Sequence, residues 1–359
     1  MKGIPVTLLF IAAALDAVIS FSVQKHANFA NAIDIHQFHW LTDATLMERI
    51  PDKETLFFEF AEVDVLPQNF TDRFEKCIRV SFTFGSVKII HIIPKLRDIE
   101  LFDTSTENVI IGRGKHYRLE NFKCNYAKLT SIPDNISQLK KMKNLDLSSN
   151  LIQTVQLDHL NGLDHLETLY LFNNKIKRIF NHRSVSLASL TDLHLEGNQL
   201  KHLDVCSWNM PKLSNLGIAQ NNLTHFAINH FRALKELLMD ENPLNCAWGN
   251  KLLQVKSDIN IKRKLTCVEN SEGVFELDCP SRIDQLRQQI STQIEDSSRE
   301  IDHLKQQNPN FDFRLAQIEG TILNNSEQFA IIAQKSKRWK RCWKILSERS
   351  SNSKMSQMT

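Results

Sequence analysis

The sequence lacks the short motifs from which most active sites are recognised. It holds no G-x-S-x-G, no phosphate-cradling glycine loop, no H-E-x-x-H and no C-x-x-C. Its 13 histidines have no nucleophile or orienting carboxylate at a meaningful spacing. His26, His36 and His39 come nearest to a metal set, yet no cysteine or carboxylate accompanies them at ligand spacing. No metal, no cofactor and no enzymatic activity are therefore expected. After the first 22 residues no segment approaches the roughly 20 apolar residues that a spanning helix needs, so no transmembrane segment is expected. A net charge of only +3 argues against a nucleic-acid-binding protein. What these absences leave is recognition by surface.

What the chain has is a repeat. Met142–Asn150 (MKNLDLSSN), Leu166–Asn174 (LETLYLFNN), Leu190–Asn198 (LTDLHLEGN) and Leu213–Asn221 (LSNLGIAQN) write L-x-x-L-x-L-x-x-N. Weaker copies begin at Leu96 and Leu119, and Leu234–Asn242 closes the series. Successive starts lie 23, 23, 24, 24, 23 and 21 residues apart, the leucine-rich-repeat period. Leucines three and four apart also fit a helix, but in-phase copies with Asn at a fixed offset do not. The L-x-L stretch places both leucines on one face of a short strand. The Asn sits at the bend, where its amide can satisfy backbone groups left unpaired. One repeat cannot bury its own leucine face, so neighbours must stack. The fold expected is an α/β leucine-rich-repeat solenoid, a horseshoe with capped ends, followed by a C-terminal helical coiled-coil segment. Irregular or 3₁₀ segments carrying Ile132, Val155, Ile179, Leu203 and Phe226 should cover its outside.

Residues 1–22 read as a secretory signal peptide: Lys2, an apolar run from Ile4 to Leu15, then small residues around Ser20 and Ser22. Sequons at Asn69, Asn135, Asn222 and Asn324 fit an exported, glycosylated chain, with Asn135 and Asn222 expected in exposed loops. Residues 23–74 lack the repeat Asn and should cap the open end, Leu56–Phe60 alternating like a strand. Phe74–Ile93 reads as a degenerate first repeat with Ile78 and Val80 in the leucine positions. The repeats proper are placed at 75–245.

Seven cysteines in a secreted chain need accounting. The run Asn242-Pro243-Leu244-Asn245-Cys246 resembles the start of a leucine-rich-repeat C-terminal cap, placed at 246–280. In such caps the first cysteine bonds to the third, so the resemblance implies Cys246–Cys267. Trp248 stands where many caps put their second cysteine, which leaves Cys279 without its expected partner. Cys124 occupies a core leucine position and should be a buried, inert thiol. Cys77 and Cys206 find no pairing in the sequence, and the odd total leaves at least one thiol for another chain.

Residues 281–347 change character. Ser281–Gln307 has neither Gly nor Pro and carries Ile283, Leu286, Ile290, Ile294, Ile301 and Leu304, with a stutter between Ile290 and Ile294. Residues 308–310 break the helix. A heptad seam follows at Leu315, Ile318, Ile322, Asn325, Phe329, Ile332, Ser336, Trp339, Trp343 and Leu346. The two helices either fold back as a hairpin or pair with a second chain. An isolated hairpin buries little surface, which favours a dimer, through Cys279 beside the first helix or Cys342 beside the seam. The basic run from Lys335 to Arg349 reads as solvated cations near a helix C-terminus, and residues 348–359 as a disordered tail.

The residues between and just beyond the strand leucines should point into the concavity: Asp98, Glu100, Phe102, Lys123, Tyr126, Asp146, Tyr170, Phe172, Asp192, His194, Glu196, Lys235 and Asp240. Tyr126, Tyr170, Phe172, Asp192, His194 and Glu196 are the candidate ligand-binding residues, because binding energy concentrates in aromatic and charged anchors.

Signal peptide, repeats, cysteine-bearing cap and coiled coil, in that order, resemble the mosquito leucine-rich-repeat immune proteins. The most specific part is the junction NPLNC…LTCVEN…LDCPSRIDQL. The resemblance implies secretion into haemolymph, association with a related leucine-rich-repeat chain through Cys279, and stabilisation of a complement-like thioester protein. The departures are a single cysteine where the long members carry an adjacent pair, and short helices. The other reading is an extracellular adhesion, matrix or developmental-signalling protein built on the same repeats.

Overall fold

The structure is a computed structural model that describes residues 21–40, 44–255, 259–262, 267–268, 277–279 and 299. The signal segment to residue 20, the coiled-coil residues other than Arg299, Asn324, Cys342 and the tail lie outside the described residues. The chain divides into two units, Met1–Cys279 and Pro280–Thr359; the first is described below.

Twelve strands pair edge to edge in chain order: Ser22–Lys25, Ala32–His36, Thr55–Leu66, Arg79–His91, Asp98–Phe102, Asn121–Asn125, Asn144–Asp146, Thr168–Tyr170, Asp192–His194, Asn215–Gly217, Glu236–Leu238 and Asn260–Lys262. Asn108–Ile110 pairs with Arg79–His91 as the thirteenth. Only the first pair is antiparallel; it makes the N-terminal edge a four-residue, largely exposed strand ending in Lys25, a short charged edge that is a poor template for another chain. Register runs unbroken through Ile33, Leu56, Val80, Ile99, Phe122, Leu145, Leu169, Leu193, Leu216, Leu237 and Ile261. Burying each such side chain contributes about 1.5–3 kcal/mol, and a one-residue slip would turn the whole column outward.

The repeat asparagines do a common task. Asn150, Asn174, Asn198, Asn221 and Asn242 are all buried. Each Oδ1 accepts the N–H of a residue in the preceding repeat: Leu129, Ile152, Ile176, Leu200 and Leu223 respectively. Each Nδ2 donates to carbonyls of its own bend and of the repeat before, as Asn174 does to Leu171 at 3.1 Å and Leu147 at 3.0 Å. The result is a ladder that satisfies the corner of every coil.

Toward the N-terminus the ladder stops, and the backbone takes over. Ala61, Gly85, Thr104 and Ala127 follow the corner where Asn would stand. Strands Thr55–Leu66 and Arg79–His91 pair straight through the bend, with Ala61 opposite Gly85 and Val63 opposite Val87. Inter-strand bonds thus replace the side-chain amide. Gly85 is needed there: its φ is +97°, and a Cβ would lie 2.5 Å from the Ala61 carbonyl oxygen. The parallel ladder therefore begins at Ala32, ahead of the boundary at 75 set by the repeat signature. In the degenerate repeat the paired, buried positions are Val80 and Phe82, while Ile78 lies just before the strand. Cys77, not Ile78, fills the first leucine position, and it is a buried free thiol. Burial pushes the Cys77 and Cys124 thiols up to about 12, so neither forms a thiolate at neutral pH.

On the outside, Ile132, Val155, Ile179, Leu203 and Phe226 are buried. Val155 and Ile179 stand in a two-stranded parallel sheet, Thr154–Gln156 with Arg178–Phe180, and not in irregular segments. Short 3₁₀ turns cover Ile136–Gln138, Leu157–Leu160 and Ile228–His230.

The C-terminal cap starts where Asn245 Oδ1 accepts the Trp248 N–H at 3.0 Å and opens the helix Cys246–Val255. Trp248 is fully buried against Phe226, ring centroids 5.3 Å apart, and its Nε1 donates to the Phe226 carbonyl at 3.2 Å. Cys246 is bonded to Cys267. Cys279 is bonded to Cys206 within the chain, Cα atoms 5.5 Å apart, which corrects its assignment as an interchain cysteine. The reason is local docking. Leu277 is buried, its carbonyl accepts the Asn229 N–H, and Asn229 Nδ2 donates to Asp278 at 2.9 Å. That lays Cys279 against the outer loop carrying Cys206.

Candidate functional site

The concave face is set by the side chains that alternate with the buried column. Between the two leucines of successive repeats stand Lys123, Asp146, Tyr170, His194 and Gly217, in register. Tyr170 meets His194 edge to face with ring centroids 5.0 Å apart, and Phe172 lies 6.2 Å from Tyr170. His194 Nδ1 lies 2.7 Å from Glu196 Oε1. These four side chains, with Asp192, form one half-buried patch at the centre of the sheet.

Its shape depends on Gly217. The Glu196 carboxylate occupies the space that a Cβ there would need, with Oε1 1.8 Å from the ideal position. Glu196 reaches inward because the next repeat has no side chain in the way, and its Oε2 is buried without a hydrogen-bond partner. Asp192 is held by Asn215 Nδ2 and Thr191 Oγ1, each at 2.5 Å. Burial, with the carboxylates of Asp192, Asp146 and Glu196 nearby, raises the Tyr170 phenol above its ordinary value, so the hydroxyl stays a donor. Donor, aromatic edge and carboxylate together suit a peptide-like surface.

Tyr126 belongs elsewhere. It stands one residue beyond strand Asn121–Asn125 with φ +52°, 56% exposed, and packs on Phe102. Phe102 leads to Phe84, and Phe84 to Phe60, with ring centroids 5.2, 5.9 and 5.5 Å apart along the row. This second surface, an aromatic row across four repeats that is exposed at Phe60, Phe84 and Tyr126 and half-buried at Phe102, was missed at Phe60 and Phe84. The signal was present as Phe58-Glu59-Phe60-Ala61 and Phe82-Thr83-Phe84-Gly85, which lie 24 residues apart. Phe60, Phe84 and Tyr126 all adopt positive φ, where an L side chain costs about 1–2 kcal/mol and the C-terminal corners use Ser149, Asn173, Gly197 and Gln220. Bulky rings that are strained and exposed contribute little to folding. Tyr126→Asn should accordingly leave stability unchanged or raise it by up to about 1 kcal/mol, read from denaturant unfolding. A loss larger than that would make the row a folding element.

The remaining predicted positions fall as follows. Asn69 and Asn222 are exposed. Asn135 is not: it is half-buried, its Nδ2 donates to the Ile111 carbonyl at 3.2 Å and its Oδ1 accepts from Arg113. Asp98 and Glu100 are drawn into pairs with Arg79 and Lys123. No group of metal-binding side chains occurs among the described residues, and no described helix is long and apolar enough to cross a membrane.

Residues 119–176 and 140–200 match the family model described as leucine rich repeat. Asporin of Bos taurus is 32% identical over 105 residues, 29% of this chain and 28% of that protein. Biglycan of Sus scrofa is 28% identical over 201 residues, 50% of this chain and 68% of that protein. The match thus spans little more than a quarter of asporin. Among solved structures, the LRIM1/APL1C complex superposes with a TM-score of 0.50 at 16% identity, over 76% of this chain and 56% of that one. Residues 119–200 thus carry the leucine rich repeat match, and the repeat period and buried asparagine ladder give the strands on either side of them the same leucine-rich-repeat fold.

Proposed function

We propose that the chain is a secreted recognition protein of insect innate immunity, which holds a complement-like thioester protein through its concave face. The observation that carries the recognition reading is the central patch: Tyr170, Phe172, His194 and Glu196 converge in two neighbouring repeats at the centre of the sheet, half-buried and in mutual contact. Two disulfides support an oxidising compartment, in line with the signal segment and sequons. The immune assignment rests on the resemblance of the repeat–cap–coiled-coil junction to the mosquito proteins. LRIM1 and APL1C form a complex, and the heptads at 281–347 support a similar pairing here, with Cys342 as the interchain cysteine. An extracellular adhesion, matrix or developmental-signalling role is the second reading.

The test is capture from insect haemolymph with mass spectrometry of the bound protein. Wild-type chain should retain a thioester protein. The Tyr170→Ala/Phe172→Ala/His194→Ala variant should fold, since none of the three is a core leucine, and lose about 2 kcal/mol or more of binding. Undiminished capture by the folded variant would move the site off the patch. Capture of matrix components alone would favour the second reading.

A further inference from the structure

A groove of about 540 Å³ opens on the loop side of the solenoid, between residues 114–118 and 138–141 of successive repeats. Lys115, His116, Arg118, Lys140 and Lys141 supply five of its eight lining residues, and none of the eight is acidic. Among the described residues none of these five joins an ion pair. Their hydrogen bonds go to neutral groups: Lys115 Nζ to Gln68 Oε1, and Lys140 Nζ to the Gly162 carbonyl at 3.3 Å. A few residues away, at the strand entrances, the pattern reverses: Arg97 and Lys143 both pair with Glu120. Cations gathered in a concavity without carboxylates repel one another and focus a positive potential.

The groove is held in shape. Tyr117 is buried and its hydroxyl donates to the Gly112 carbonyl at 3.1 Å. Backbone bonds from Arg118 N to Pro94 O and from Lys140 N to Gln138 O, both 2.9 Å, fix the two lips. The cations stand on a pinned frame, so ligand binding need not order the backbone.

We propose that this groove binds a sulfated polysaccharide. The lining offers ammonium and guanidinium donors and the Gln138 amide, which suits closely spaced, hydrated anionic groups. Single-stranded nucleic acid carries the same charge density, but its binding sites add exposed aromatic platforms for the bases. Of the two rings lining the groove, Tyr117 is buried and His116 alone is exposed, so no succession of stacking platforms is offered. The site is independent of the concave patch and stands or falls without it.

The probe is heparin, titrated against the full-length secreted chain over a range of salt. Wild type should bind with a steep salt dependence. Lys115→Glu/Arg118→Glu and Lys140→Glu/Lys141→Glu should each weaken binding at least about tenfold, and neutral Arg118→Gln/Lys141→Gln should lower the log–log salt slope by about one per cation removed. Lys175→Glu/Lys177→Glu, an equal charge change at exposed positions elsewhere, should have little effect. Unfolding curves check that each variant is folded, and the Gln pair carries the test if a Glu pair is not. Equal losses at Lys175/Lys177, an unchanged slope in the Gln pair, or equal binding of desulfated heparin would overturn the proposal. Tighter binding of a single-stranded oligonucleotide, sensitive to the same substitutions, would reassign the groove to nucleic acid.

Discussion

Replacing Asn174 by Ala is expected to destabilise the solenoid by about 3–5 kcal/mol. The side chain is buried between two repeats and makes four hydrogen bonds: from Ile152 N, and to the carbonyls of Leu147, Leu171 and Phe172. Removing it leaves the Ile152 N–H without that acceptor in a place water does not reach, and a buried unsatisfied group costs about 1–3 kcal/mol. Loss of packing adds to this. Ser, which keeps a hydroxyl but is too short to reach both repeats, should recover little. Denaturant unfolding followed by circular dichroism measures the loss. Because repeat arrays unfold in segments, hydrogen exchange should show the opening centred on 147–176. A loss under about 1 kcal/mol would mean that the bend satisfies its backbone in another way.

Breaking the Cys206–Cys279 bond should have an effect of similar size. Loop-closure entropy for a separation of 73 residues gives about 4 kcal/mol, against about 3 kcal/mol for the separation of 21 at Cys246–Cys267. The longer bond fastens residues 277–279 to the outer loop beside Trp208, so its loss should loosen the cap before the central repeats. Cys206→Ser/Cys279→Ser is therefore expected to unfold earlier in denaturant and to be cut by protease first near 267–279. On non-reducing gels the same variant should keep whatever interchain bond the wild type has, because Cys279 is spent within the chain and Cys77 and Cys124 are buried. Cys342→Ser should remove that bond. A dimer lost with Cys279→Ser and retained with Cys342→Ser would show that the chain can exchange its cap cysteine for a partner's.

Much of the solenoid was legible because its cause is periodic. A leucine face that one repeat cannot bury forces stacking, and the Asn offset marks each bend. Tyr170, Phe172, His194 and Glu196 were legible for the same reason, since in-phase repeats put equal offsets side by side. Where the period decays, so does the reading. Ala61, Gly85, Thr104 and Ala127 hide the N-terminal corners, and Phe60 and Phe84 went unnoticed with them, because backbone pairing had replaced the amide that marks a corner. Tyr126 is expected in the concavity with the central patch, yet it stands at the corner on the aromatic row with Phe102, since alternation fails once a residue turns to positive φ.

The sequence by itself determined the repeat unit, its phase, the buried leucine column and the asparagine ladder, because each follows from contacts between equivalent positions of neighbouring repeats. Only the tertiary structure decided what depends on contacts between unlike positions. Cys279 meets Cys206 because Leu277 and Asp278 dock on Asn229 in an outer loop. Glu196 turns inward because Gly217, one repeat on, leaves room. Two basic loops, residues 114–118 and 138–141, face one groove because stacking brings them together. A period fixes what stands beside its own copy; the path of the loops between copies fixes everything else.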